Sequence, residues 1–255
     1  MQARLVSAIR GMRWLGEGWQ LFRVAPLGWI ALVFAYWLLM TLVSLVPYAG
    51  VVAAAVLVPP FSLGFMAAAR AASRRSPLEL RLLFDGFRQQ RNAQLVLGVV
   101  YLVCLALVLG ATSLVDDGAL ARWMVTGQRP SDESLQSNDF LYALGCAMLA
   151  YLPVMMMFWF APPLAAWHAT GAAKALFFSF FACLMNWRAF IGYGAVTALV
   201  GLAIPFLLLS AIALAFGAAL KVPITSLLFP LIIVLLPTLF ASFYVSYRDV
   251  FGTPE

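Results

Sequence analysis

Residues able to do chemistry are few in this 255-residue chain, and they are scattered along it. The one histidine, His168, follows a long apolar segment, and the three cysteines, Cys104, Cys146 and Cys183, each lie among apolar residues. Without a neighbouring histidine or cysteine, such residues are typical of polar anchors and small packed side chains rather than of metal ligands or disulfides. No glycine-rich phosphate loop, paired-carboxylate site or nucleophile elbow stands in a suitable context. The sequence therefore predicts no catalytic residue, metal or cofactor, and it favours a protein that is not an enzyme.

Uncharged polar residues inside the apolar segments are the remaining candidates for a site. A path for a neutral solute could be lined by Tyr36, Ser62, Tyr101, Tyr151 and Thr197. Proline residues interrupt the same segments, and many carriers bind their substrates at such breaks. No charged residue lies near the middle of any segment, although ion-coupled carriers and proton relays usually retain one. Hydrogen bonding and packing between helices is the favoured interpretation of these side chains.

Composition indicates the class of structure that must position these residues. Hydrophobic residues make up 64% of the chain and charged residues 10%, whereas soluble domains contain roughly 45–50% and about 25%. Six apolar segments approach or exceed the roughly 20 residues that a helix needs to cross a bilayer. The predicted spans are residues 27–45, 51–69, 93–115, 140–162, 190–214 and 224–245. Within lipid every backbone polar group needs an internal partner, so the predicted fold is all-α, a polytopic membrane protein with six transmembrane helices.

The six spans are predicted to form three hairpin repeats. A proline lies eleven residues before a basic residue in each of three pairs: Pro59 and Arg70, Pro163 and Lys174, Pro237 and Arg248. Such a repeat predicts that the three basic residues lie at one depth in the membrane. We predict a single integral membrane domain over residues 1–255. Its parts are an interfacial helix at 1–26, hairpins at 27–70, 93–166 and 190–248, and cytoplasmic connections at 71–92, with a second interfacial helix, and at 167–189.

Basic residues are distributed unevenly between the two ends of the spans. Thirteen of the sixteen Lys and Arg residues are placed on one side: four before residue 27, six from Arg70 to Arg91, and Lys174, Arg188 and Arg248. The positive-inside rule then predicts a multi-pass protein of the bacterial inner membrane with both termini in the cytoplasm. We expect the basic side to attract anionic lipid headgroups. The candidate anchors are Arg70, Arg74, Arg75, Lys174 and Arg248. The charge does not indicate nucleic-acid binding, because no stacking platform accompanies it.

The N-terminal segment is predicted to form an amphipathic helix at the cytoplasmic interface. One face carries apolar residues at three- and four-residue steps: Leu5, Ile9, Met12, Leu15, Trp19 and Phe22. Gly11, Gly16 and Gly18 weaken the helix in isolation, so we expect the membrane or a neighbouring element to support it. In the connection 71–92, Ser76 followed by Pro77 and Glu79 predicts a capped second helix. The apolar stretch Ala172–Met185 predicts another interfacial or re-entrant helix.

The two ends of the chain carry a family resemblance. Residues 14–22 read WLGEGWQLF, with Pro26 and Trp29 after them, and residues 244–251 read YVSYRDVF. These segments, the proline-rich second and fourth spans and Asn186 resemble an uncharacterised family of six-span bacterial inner-membrane proteins. The resemblance covers most of the chain and implies a fold and a location, with no catalytic residues. More distantly, the chain is similar to the membrane part of some glycerophosphodiester phosphodiesterases, without their catalytic domain.

Apolar helix faces, basic interfacial helices and the lack of a polar catalytic site favour a non-enzymatic function. We expect an accessory, scaffold or assembly component of a membrane complex, whose partners are membrane lipids and a membrane protein. Two alternatives stay open: a carrier or channel for a neutral or amphipathic solute, and a lipid-handling membrane protein.

Overall fold

The computed structural model describes residues 3–216 and 224–252. The described part of the chain is 84% helical and contains no strand. Six helices in it are long and apolar enough to cross a membrane: Pro26–Ser44, Ala49–Ser73, Arg91–Thr112, Asn138–Trp167, Trp187–Leu207 and Leu231–Phe251. The predicted all-α class with six membrane-length helices is confirmed.

Short elements connect and extend the long helices. In chain order, the described helices are α1 Ala8–Val24, α2 Pro26–Ser44, α3 Ala49–Ser73, a 3-10 helix Leu80–Phe84, α4 Asp85–Arg88, α5 Arg91–Thr112, α6 Ala119–Thr126, α7 Asp132–Gln136, α8 Asn138–Trp159, α9 Ala161–Trp167, α10 Ala172–Met185, α11 Trp187–Phe216 and α12 Ile224–Phe251. The predicted helix at 1–26 is present as α1, and the one after residue 171 as α10; their positions relative to a membrane stay predictions. The helix predicted to start just after Ser76 begins only at Leu80 and is a 3-10 turn followed by the short α4.

The described residues form two compact units. The first contains Met1–Ala35, Phe65–Leu83 and Ala182–Glu255, and the second contains Tyr36–Gly64 and Phe84–Phe181. Two of the unit boundaries fall within α2 and α3, inside the first predicted hairpin, and the other two fall in the predicted connections 71–92 and 167–189. The single domain and the three-hairpin repeat stay predictions.

In the first unit, α1 packs along both α11 and α12. A Cβ atom at Gly11 would collide with the backbone of Ala189, and one at Gly18 would lie 2.6 Å from the carbonyl oxygen of Thr238. Two of the three glycines that weaken α1 in isolation therefore allow its close approach to the neighbouring helices. The fully buried core beside them contains Trp14, Trp29, Leu32, Phe65, Met66 and Tyr247.

The face of α1 that packs includes only two residues of the predicted apolar face, Leu15 and Phe22. Its buried residues are Gly11, Trp14, Leu15, Gly18 and Phe22. Leu5, Ile9, Met12 and Trp19 are exposed instead. Leu15 and Phe22 are buried, although the Phe22 ring stacks on that of Trp19 at 5.3 Å between centroids, so the predicted face is buried along one edge and exposed along the other.

In the second unit, α5 packs on α8 and α9. The fourth span is broken at Phe160, between α8 and α9, because Pro162 and Pro163 lack the N–H groups that would continue the helix. Ser179 of α10 bridges this break: its Oγ accepts from Phe160 N at 2.9 Å and donates to Met156 O at 2.7 Å. The buried Gln94 side chain donates to Pro162 O at 2.8 Å. Polar side chains thus bond to backbone groups on both sides of the break in the span.

Candidate functional site

Five residues from the two ends of the chain form one polar network, which we call the terminal clamp: Arg10, Trp14, Glu17, Arg248 and Asp249. Arg10 donates to Asp249 from Nε at 2.6 Å and from Nη2 at 3.0 Å, and it forms an ion pair with Glu17. The Trp14 indole Nε1 donates to the same carboxylate at 2.9 Å. Arg248 Nη2 donates to Glu17 Oε2 at 2.7 Å. Each carboxylate is therefore shared by two donor side chains.

Helical spacing explains how the sequence assembles the clamp. Positions 10, 14 and 17 are four and three residues apart, so their side chains project from one side of α1. Arg248 and Asp249 are adjacent in the last turn of α12, where a basic residue also complements the helix dipole. The hydrogen bonds to Asp249 and Glu17 raise the pKa of Arg10 above its ordinary value. With side-chain exposures between 12% and 32%, the network is largely shielded from solvent.

The segment before α1 is fixed by Asn186. Its Oδ1 accepts from Val6 N at 2.7 Å, and its Nδ2 donates to Arg4 O at 3.1 Å. Arg4 N donates to Val250 O at 2.8 Å, so this segment also contacts the end of α12. Asn186 is buried and lies between α10 and α11. It thus holds the chain entering α1 in a defined position.

An open basin of about 550 Å³ lies beside the clamp. It is lined by Arg4, Leu5, Val6, Ser7, Arg10, Arg248, Asp249 and Gly252. Ser7 is the N-cap of α1, and its Oγ accepts from Arg10 N at 3.3 Å. The basin therefore combines three guanidinium groups with the N-terminal end of a 17-residue helix.

The predicted lipid anchors occupy different surroundings. Arg248 belongs to the terminal clamp. Arg70 is half-buried near the end of α3, whereas Arg74 and Arg75 are exposed just beyond that helix. Lys174, in the second unit, is exposed and lies 5.8 Å from the ring centroid of Phe178. Binding of lipid headgroups by these five residues stays a prediction.

The predicted polar path is brought together only in part. The hydroxyl groups of Tyr101 and Tyr151 are hydrogen-bonded at 2.8 Å between α5 and α8. The Tyr36 ring packs edge-on against Phe61 at 5.4 Å between centroids, and Ser62 is half-buried on α3. Thr197 belongs to α11 in the other unit, one helical turn after Tyr193. A path for solute stays a prediction.

Sequence reasoning missed the terminal clamp and the bridge made by Ser179. A signal for the clamp is present: Glu17 is the one acidic residue among the first 78, and Asp249 stands directly after Arg248. Glu17 and Asp249 lie in segments that were interpreted only through their basic residues.

Among residues 3–216 and 224–252, no three His, Cys, Asp or Glu side chains come together as a group that could hold a metal ion. The acidic segment after α5 has a local structural role, since Asp116 accepts from the backbone N–H groups of Gly118 at 3.0 Å and Leu120 at 2.7 Å. Burial lowers the pKa of His168 below its ordinary value.

Six membrane-length apolar helices, with a charged network joining the chain ends, define a polytopic helical membrane protein. The chain is 38% identical to a curated protein of Burkholderia thailandensis named as a probable inner membrane protein, over 100% of this chain and 96% of that protein. The chain therefore belongs to the same family of inner membrane proteins. No family model matches it, and no solved structure matches it. These comparisons do not support the more distant resemblance to glycerophosphodiester phosphodiesterases.

Proposed function

We propose that this protein is a non-enzymatic accessory or scaffold component of the inner membrane, with α1 as its contact element. The observation that carries the proposal is the fixed position of α1. The terminal clamp, the Asn186 contacts and the glycine packing hold one side of α1 against the protein. Ile9, Met12 and Trp19 of α1 remain 65%, 45% and 41% exposed, and Leu5, just before the helix, is 73% exposed.

The exposed side of α1 has the composition of a contact surface. Large apolar residues presented together, with charged residues beside them, mark protein–protein or membrane contacts. Arg13 and Arg23 are exposed on the same helix, and Trp with Arg is typical of helices at a lipid interface. Because α1 packs against α11 and α12, it presents this surface rigidly. A rigid contact surface suits a scaffold better than a flexible one.

The orientation of the chain is part of the same proposal. The clamp and the exposed arginines of α1 lie in the basic segments, so the positive-inside rule puts both termini and α1 on the cytoplasmic side. The membrane-length portions of α2, α5 and α11, and the α8–α9 pair, have only 11–17% of their residues buried. Much of their apolar surface is thus available to lipid or to a partner subunit.

A lipid-handling function is the second candidate, and the arginine-lined basin favours it. A carrier or channel is the third, and the break between α8 and α9 favours it, because many carriers bind solutes at interrupted spans. The bond between Tyr101 and Tyr151 weighs against the carrier, since two of the predicted path hydroxyls satisfy each other.

Purification from native membrane in mild detergent, with quantitative mass spectrometry of proteins and lipids, tests the scaffold. We expect a protein partner at a fixed ratio to the wild-type chain. The double variant Met12→Ala with Trp19→Ala should lose this partner. Leu107→Ala is the control, because Leu107 is 68% exposed on a different helix, α5. A chain that is always purified alone contradicts the scaffold, and equal loss in the control contradicts the role of α1.

A further inference from the structure

We propose that the basin beside the terminal clamp binds the phosphate of an anionic phospholipid. The inference deepens the proposed function and rests on its placement of α1 at the membrane surface. It assigns a ligand class to residues at the very start of the chain, above all to Arg4, which the sequence analysis did not single out.

The charges around the basin leave donors for an anion. Asp249 already accepts from Arg10 and Trp14, and Glu17 accepts from Arg10 and Arg248. Arg4, Arg10 and Arg248 all line the basin, so these three arginines and the two carboxylates together carry one net positive charge. Within the described residues, Arg4 makes no ion pair, and Arg248 donates hydrogen bonds through Nη2 alone. A phosphate oxygen in the basin can therefore take donors from Arg4 and Arg248 without breaking the clamp.

The backbone adds to the attraction. Ser7 caps α1 and lines the basin, so an anion bound there lies at the positive end of a 17-residue helix. The N-terminal end of α1 and the guanidinium groups thus both attract an anion bound in the basin. Asn186 and Val250 hold the backbone of residues 4–6 in place, so the site does not have to be ordered when the ligand binds.

The edge of the basin distinguishes a lipid from a soluble phosphate compound. Leu5 lines the basin and is 73% exposed, and Ile9 is 65% exposed about one turn along the chain. A free phosphate would leave both apolar side chains uncovered. A phospholipid covers them with its acyl chains while its phosphate lies against the arginines, as expected at the boundary of headgroups and chains.

Native mass spectrometry of the full-length protein in mild detergent tests the site. Dioleoylphosphatidylglycerol or dioleoylphosphatidylcholine is added at equal concentration, and the fraction of protein that keeps one lipid is measured. We expect wild type to retain phosphatidylglycerol preferentially. Arg4→Gln should weaken this retention about tenfold, as expected for the loss of a charge-assisted contact, and Arg4→Lys should restore part of it. Arg13→Gln, which removes an exposed charge of α1 outside the basin, should have little effect.

Three outcomes overturn the proposal. Equal retention of the two lipids shows no selectivity for an anionic headgroup. Equal weakening by Arg4→Gln and Arg13→Gln shows a general charge effect rather than a site. Displacement of the lipid by glycerol phosphate at the same concentration shows that the basin takes a soluble phosphate compound. Each of these leaves the scaffold proposal standing, because that proposal is tested by the protein partner and the exposed residues Met12 and Trp19.

Discussion

Trp14 donates its indole N–H to the carboxylate of Asp249 at 2.9 Å, across 235 positions of sequence. The two residues belong to the two segments, 14–22 and 244–251, that carry the family resemblance. Their contact gives both segments one structural role, because each supplies part of the terminal clamp that holds α1. The buried Trp14 ring therefore contributes to packing, and its N–H group has a hydrogen-bond acceptor.

Replacing Asp249 with alanine is expected to destabilise the protein. The change removes the shared acceptor of Arg10 and Trp14, so the free energy of unfolding should fall by about 1.5–3 kcal/mol, the range for hydrogen bonds to charged groups. Tryptophan fluorescence during unfolding in detergent micelles measures it. The control is Asp132→Ala, which breaks an exposed ion pair with Arg129 and should change stability by less than about 1 kcal/mol. Equal effects of the two variants would show that the clamp contributes no special stability.

The glycines of α1 should respond differently to alanine. At Gly11 a Cβ atom would meet the backbone of Ala189, whereas at Gly16 nothing lies within 4 Å. Gly11→Ala should therefore cost about 1–3 kcal/mol through overpacking. Gly16→Ala should be neutral or should stabilise the helix by up to about 1 kcal/mol. The same unfolding experiment compares them, and a loss of stability in Gly16→Ala alone would contradict the packing of α1 seen here.

The membrane helices could be predicted from the sequence because their signal is local. A span needs only length and apolarity, and both can be counted within one segment, as residues 93–115 show against the observed α5 at Arg91–Thr112. The boundaries of the spans are predicted less accurately than their existence. For example, α12 continues as helix through Arg248 to Phe251, past the predicted end at 245. A helix can continue through charged residues when its last turn packs against another element.

The terminal clamp could not be predicted because its partners are far apart in sequence. Helical propensity treats Gly11 and Gly18 as weaknesses, and only the positions of Ala189 and Thr238 reveal that close packing requires them. Periodicity likewise predicts one apolar face for α1, of which Leu15 and Phe22 are buried and Ile9, Met12 and Trp19 are exposed. Periodicity in one sequence does not distinguish the residues of a helix that pack against the protein from those that are exposed.

Ser179 should be needed for the broken fourth span. Ser179→Ala leaves Phe160 N–H and Met156 C=O without their bridging hydroxyl in a buried position, and the expected loss is about 1–3 kcal/mol. Hydrogen exchange at the Phe160 amide should also become faster than in wild type. Ser44→Ala is the control, since that exposed hydroxyl donates only to Met40 O of its own helix. Unchanged exchange at Phe160 would contradict the bridging role of Ser179.

The bond between Tyr101 and Tyr151 separates packing from a solute path. A double-mutant cycle with Tyr101→Phe, Tyr151→Phe and the double variant isolates their coupling free energy. We expect about 0.6 kcal/mol, as for other polar contacts between membrane helices. Tyr142→Phe, at a position 65% exposed on α8, is the control for removing a hydroxyl. A coupling near zero would mean that the hydroxyls do not bond each other in the membrane, and it would favour the carrier alternative.

The proline-to-basic repeat predicts that Arg70, Lys174 and Arg248 share one depth. Each follows its proline by eleven residues, and long basic side chains extend toward the headgroups while their stems stay in the apolar region. Cryo-electron microscopy in lipid nanodiscs, with a bound antibody fragment to add mass, gives the height of each Cα atom above the bilayer midplane. We expect the three heights to agree within about 5 Å, one helical turn. A larger spread would show that the spacing is coincidental, because three copies of one hairpin should exit the membrane at the same level.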